Sequence, residues 1–366
     1  MRGLSLQALA TEIERQAESK KDYIAPTSKL AMELSSTTAE DGTPVGPFPV
    51  LTMQNGAAKH FSMTPIFHDQ LATRLEIPSK YYDRMQVEAP ALLAGNVNHW
   101  LKAQNKKVMV RTLDGKARAF MSDRYRPLDN IDLAEAVLPI ISDRKWEIRD
   151  CDLTERKLYI KVVNPAISAV VKRGQHGGDH LVHPGLMFSN SEVGMGAVRV
   201  TPTLHWPHCF NIALMDEAGT SRFHTGRRDE RFGDLATEFF ADATRQADDK
   251  AFWMKVRDVV SSTLTEELFR RLVAKFNQAT EAVIDGDVVQ VVTATAKRLG
   301  LRESEQASVL KHLISGGDLS LYGLSGAITK MAQDAAVDYD RGTELERAGG
   351  EIIELSRSEW KELQAA

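Results

Sequence analysis

The stretch Lys107-Val108-Met109-Val110-Arg111-Thr112-Leu113-Asp114-Gly115-Lys116-Ala117-Arg118-Ala119-Phe120-Met121 decides the fold. Its hydrophobic period is close to two, which suits a strand rather than a helix. Asp114-Gly115 sits between the two halves, and an Asp-Gly pair tolerates the left-handed backbone of a tight hairpin turn. The stretch therefore predicts two antiparallel strands, 107–112 and 117–121.

Outward from this hairpin the same texture continues. Asn130–Ile141 reads as a helix after Asp129, and 145–150 with 156–163 reads as a second hairpin. Segments 186–190, 197–204 and 209–215 read as further strands. Hairpin, helix, hairpin and more strands predict an α+β fold with a mainly antiparallel sheet over about residues 106–215, packed by helices. From Leu235 onward the period is helical: Phe239, Phe240, Ala243, Ala247 and Ala251 share a face, as do Leu264, Leu268, Leu272 and Phe276. Upstream, Leu4–Ser19 is amphipathic, and Leu71–Met85 is helical with an interruption at Pro78. Residues 35–58 are rich in Ser, Thr, Gly and Pro and predict a loop or a mobile arm. The expected organisation is an N-terminal helix and arm (1–58), an α+β core (59–232) and a helical region (233–366), packed on that core or separate from it.

The 366 residues are 43% hydrophobic and 26% charged, a globular composition that can bury a core without staples. Two cysteines, Cys151 and Cys209, cannot build a disulfide framework, so a cytoplasmic location is expected. No run of 18 apolar residues is present, and the N-terminus lacks the apolar segment of a signal peptide. Net charge is −4, but unevenly spread. Residues 101–231 carry 21 basic against 16 acidic side chains, while 232–366 carry 16 against 23. A basic middle beside an acidic tail fits a polyanionic partner; chance fluctuation is the alternative.

No phosphate-binding loop, zinc-protease motif, nucleophile elbow or CxxC is present, and no cofactor is implied. Three constellations remain. The first is the polar loop Ser189-Asn190-Ser191-Glu192-Val193-Gly194-Met195-Gly196, either a ligand cradle or a tight connection held by its own side chains. The expectation is that Asn190 and Glu192 point inward onto backbone groups or His224. The second is His205, His208, Cys209 and His224, weak zinc candidates without paired CxxC spacing. The third is basic: Lys106, Lys107, Arg111, Lys116, Arg118, Arg124 and Arg126, interleaved with Phe120, Tyr125 and Trp146, and echoed by Arg222, Arg227, Arg228 and Arg231. Cations can hold phosphates and flat rings can stack on unpaired bases. A solvated sheet face paired with Asp114 and Asp123 is the plainer reading.

Met121-Ser122-Asp123-Arg124-Tyr125-Arg126-Pro127-Leu128-Asp129-Asn130 resembles a segment of a bacterial family, as does Gly185–Gly194. Cys209-Phe210-Asn211, His224-Thr225-Gly226 and Leu321-Tyr322-Gly323-Leu324-Ser325-Gly326-Ala327-Ile328-Thr329 follow in that family's order. The resemblance, to the domain of unknown function 932 family of phage/plasmid-like proteins, runs from about residue 60 to 350. One departure is Ser325-Gly326, where the family pattern has an Asn nearer the Ala. The resemblance implies mobile-element biology rather than a reaction. The hairpin–helix–hairpin order also resembles phage single-strand annealing proteins, which implies a homo-oligomer laying single-stranded DNA along a basic groove. The expected nucleic-acid contacts are Lys106, Lys107, Arg111, Arg118, Arg124, Tyr125, Arg126, Arg227 and Arg228. The competing expectation is a mobile-element enzyme built on Asn190, Glu192 and the His/Cys group, with or without a metal.

Overall fold

A computed structural model describes residues 3–38, 44–55, 57–173, 178–207, 212–215, 220–222, 242–263 and 265–365. The decisive hairpin is present as β5 (Lys107–Leu113) and β6 (Lys116–Ser122). Asp114 and Gly115 both have positive φ, 51° and 73°, matching the right-handed twist of the two strands. Around it forms a six-stranded sheet in the order β1-β5-β6-β4-β3-β2, with β1 (Lys21–Pro26), β2 (Leu30–Thr38), β3 (Pro44–Asn55) and β4 (Ala57–Met63). All its pairings are antiparallel except β4 with β6.

The loop or mobile arm expected over residues 35–58 is therefore corrected. Its described residues form β2, β3 and the start of β4, which extends the sheet region well upstream of residue 106. Met32 and Met53 are buried on the inner face of this region, and Asn98 covers the open edge of β2. Its Oδ1 accepts from Met32 N at 2.7 Å and its Nδ2 donates to Met32 O at 2.9 Å. Occupying an edge strand's free backbone groups removes a template for pairing with another chain. Helices α2 (Pro65–Arg74), α3 (Ser79–Glu88) and α4 (Pro90–Gln104) cover the inner face, burying Phe67, Leu71, Leu93, Val97 and Leu101 against Leu51, Val108 and Phe120.

The second sheet has the order β12-β11-β10-β8-β7, with β13 beside β11 and β9 beside β10, all antiparallel. Its strands are β7 (Glu147–Leu153), β8 (Leu158–Val163), β9 (Ala169–Val171), β10 (His180–Asn190), β11 (Val198–His205), β12 (Ile212–Leu214) and β13 (Thr220–Arg222). One face packs on α1 (Leu6–Ser19), α5 (Asn130–Asp143) and α6 (Asp242–Thr263), through Leu9, Val137 and Val260 against Ile160, Leu186 and Phe188. The other face carries α7 (Glu266–Glu281), α8 (Val288–Leu299), α9 (Glu303–Gly316), α10 (Leu321–Met331), α11 (Tyr339–Ile353) and α12 (Arg357–Ala365). The fold is α+β as expected, with the helical C-terminal region laid on the second sheet. The start of the expected helix at 235–241 and the segment 209–211 lie outside the described residues.

Candidate functional site

The two sheets meet where the Ser189–Gly196 loop leaves β10 and covers the outer face of β5 and β6. Val193 seats against Met109, Ala119 and Met121, and Gln70 of α2 ties the loop down by donating to Val193 O at 2.7 Å. On that covered face lies Arg111, fully buried. Its Nε donates to Asp22 Oδ1 at 2.8 Å, its Nη1 to Glu192 O at 2.9 Å and its Nη2 to Asp129 Oδ1 at 2.9 Å. Arg118 Nη2 reaches Glu192 Oε2 at 2.5 Å. Lys20 Nζ closes the set at 2.7 Å from Asp129 and 3.3 Å from Glu192.

Three cations thus face three carboxylates, an arrangement that keeps buried charges compensated. Burial opposes ionisation of Asp129, but Arg111 and Lys20 outweigh it and hold its carboxyl below the ordinary range. The loop side chains point inward as expected. Glu192 Oε1 accepts from Asn130 N at 2.8 Å, and Asn190 Nδ2 donates to Leu128 O at 2.7 Å. Ser191 Oγ donates to Arg156 O at 2.7 Å. Gly194 takes φ 73°, while Gly196 lies against the Lys157 stem.

The structure corrects the picture of a solvated basic face. Arg111 and Arg118 are inside the molecule, spent on carboxylates of the same chain. Tyr125 is half-buried, donates its hydroxyl to Ser191 O at 3.2 Å and lies under the Arg111 guanidinium. Its ring is therefore poorly placed to stack on a base. Lys106, Lys107 and Arg124 are exposed, and Arg126 is half-buried. Arg227 and Arg228 lie outside the described residues.

The exposed members share one end of the first sheet. Thr27 N donates to Lys106 O at 2.8 Å, which ties the one-turn segment Thr27–Lys29 to this end of the sheet. Pairing of Val108 with Ser122 sets Lys107 and Lys106 across from Asp123 and Arg124. Lys102, at the end of α4, completes the rim. Lys29, Lys102, Lys106 and Lys107 are all exposed, and none has an ion-pair partner among the described residues. Trp100, two residues before Lys102 on α4, leaves 43% of its surface in solvent. Lys29, Lys102 and Trp100 carry no sequence signal of their own, because they come from a one-turn segment and a helix outside the paired strands.

Among the described residues the enzyme constellation is not brought together. His205 pairs with His183 across β10 and β11, and Asn190 is seven residues further along β10. At about 3.3 Å per residue that is roughly 23 Å. His205 is buried with neither ring nitrogen hydrogen-bonded among the described residues, and burial pulls its pKa down to about 4. His208, Cys209 and His224 lie outside the described residues. Among the described residues no group of three or more His, Cys, Asp or Glu side chains could hold a metal ion, and no helix is long and apolar enough to cross a membrane. The chain matches no family model, no curated protein and no solved structure.

Proposed function

We propose that the chain binds single-stranded nucleic acid, and that the contact surface is the lysine rim rather than the buried arginines. The observation that carries this reading is the gathering of Lys29, Lys102, Lys106 and Lys107, exposed and without carboxylate partners among the described residues, at one end of the first sheet. Exposed cations without carboxylate partners among the described residues suit phosphates, and each phosphate neutralised releases counterion. Trp100, on the same helix as Lys102, supplies an exposed ring on which an unpaired base can stack. Homo-oligomerisation belongs to the same reading, since several aligned rims compensate for four lysines per chain. A role in recombination on a mobile element is the setting that the family resemblance supports.

The test is fluorescence anisotropy with labelled oligothymidylate and a matched duplex, from about 50 to 200 mM salt, the range over which phosphate contacts weaken steeply. Single-stranded binding with a steep salt slope is expected. The slope should flatten by roughly 0.7 for each rim lysine replaced by alanine. Trp100→Ala should lower affinity with little change in slope. Absence of binding at the low-salt end overturns the reading.

A further inference from the structure

A cleft of about 210 Å³ opens between the β9–β10 ladder and helices α9 and α10. Its polar wall is ordered by Tyr322, from the segment of α10 that the sequence singled out. Arg173 Nη1 lies 3.2 Å from His180 Nε2. A guanidinium only donates, so Nε2 accepts and the ring proton sits on Nδ1. That proton goes to Tyr322 Oη at 2.6 Å, where Trp206 Nε1 also donates at 2.8 Å. The phenol oxygen therefore accepts twice, and its own O–H is directed away from both donors.

Among the described residues Asp318 is the one carboxylate on the cleft lining, with Asp334 behind it on His312 at 3.2 Å, and Asp318 is already engaged: Oδ2 takes Arg173 Nε at 3.1 Å and Oδ1 takes the Ser320 hydroxyl. Arg173 uses two of its five N–H groups in these contacts, and Nη2 has no partner among the described residues. Lys330 is exposed on the cleft wall, likewise without an ion pair among them. Trp206, Leu313 and Ala327 make the apolar side.

We propose that this cleft binds a phosphomonoester, with the phosphate held by Arg173 and Lys330 and the rest of the molecule against the apolar side. A planar fork plus a point charge suits a dianionic head better than a carboxylate. Gly326 explains the room: a Cβ built there meets nothing within 4 Å.

The experiment is calorimetric titration of the full chain with AMP, inorganic phosphate and acetate, with the melting temperature followed in parallel. AMP and phosphate should bind, AMP more tightly, and acetate far more weakly. Lys330→Ala should weaken AMP by about tenfold or more, the loss of one charge-assisted contact. Gly326→Leu, which fills open space, should abolish AMP binding while the melting temperature stays at or above that of the parent chain. Failure of the parent chain to bind AMP or phosphate, equal affinity for all three probes, or unaltered AMP binding by both variants overturns the proposal. The nucleic-acid reading concerns a different surface and is unaffected by any of these results.

Discussion

Lys161 and Glu346 meet at 2.7 Å with 4% of each side chain exposed, joining an interior strand of the second sheet to helix α11. Asp150 lies 3.9 Å from the same ammonium and the Tyr339 ring 4.7 Å from it. A buried pair of this kind contributes modestly as a pair but is costly to break, because the remaining charge is stranded. Glu346→Ala should therefore lower unfolding free energy by about 3–5 kcal/mol in urea titrations. The double variant Lys161→Met/Glu346→Leu should recover most of that loss. An alanine variant within about 0.5 kcal/mol of the parent, as for an ordinary surface change, would show that water reaches the pair.

The acid limb of stability should be set first by two histidines. Burial pulls both His68 and His205 down to about pKa 4, whereas an unfolded imidazole titrates near ~6.5. Below that value the unfolded chain takes up protons that the folded chain refuses. Stability should fall as pH drops from about 6.5 towards 4, by up to roughly 3 kcal/mol per histidine, and then level off for these groups. Asp129 acts lower. Its depressed carboxyl stabilises the fold above about pH 4, the unfolded aspartate value, and that contribution disappears beneath it. His205→Leu should flatten the upper part of this profile. It should also raise stability at neutral pH by about 1 kcal/mol, because it removes a buried ring with no hydrogen bond among the described residues. A profile unchanged by His205→Leu counts against the assignment.

Two glycines in neighbouring helices should respond in opposite directions. A Cβ at Gly350 of α11 would lie 1.8 Å from Leu214 O of β12, so Gly350→Ala must push the helix off the sheet. A cost of about 1–3 kcal/mol is expected, as for other overpacked sites. A Cβ at Gly326 of α10 meets nothing within 4 Å. Gly326→Ala should therefore gain about 0.5–1 kcal/mol from reduced backbone entropy in the unfolded chain. Thermal melts of the two variants should move apart.

The sequence is most legible where local chemistry and tertiary structure agree. The Asp114-Gly115 turn and the helix from Asn130 both form where their signals stand, and Asp129 occupies the N-cap. Residues 35–58 mislead because Pro47, Pro49 and Gly46 read as breakers, yet they fall in the half of β3 that pairs with β2 and runs past the end of its β4 pairing, where proline is tolerated. Arg111 misleads for another reason. It shares a face with Met109, and the facing strand adds Ala119 and Met121. An arginine among such neighbours is on a covered face, and its partners Asp22 and Asp129 lie 89 and 18 residues away in sequence. Alternation gives the face but not what covers it. The cleft residues Arg173, His180 and Asp318 are scattered over more than a hundred positions, whereas Tyr322, Gly326 and Ala327 lie together in the family-like segment Leu321–Thr329.

Arg111 and Lys107 therefore make a decisive pair, because they sit four residues apart on one strand and face opposite fates. Arg111→Ala would leave Asp22 and Asp129 without their shared guanidinium and Glu192 O without its donor. The expected cost is about 3–5 kcal/mol, with loosening of the Ser189–Gly196 loop. Any effect on nucleic-acid binding should track the fraction folded. Lys107→Ala and Lys106→Ala remove exposed side chains without ion-pair partners among the described residues, so stability should change by less than about 0.5 kcal/mol. On the proposed reading these same changes should weaken oligothymidylate binding and flatten its salt slope by roughly 0.7 each. Urea unfolding and anisotropy on the three variants separate the two roles. If Arg111→Ala stays fully stable yet loses binding, the buried network is the contact surface and the rim is not.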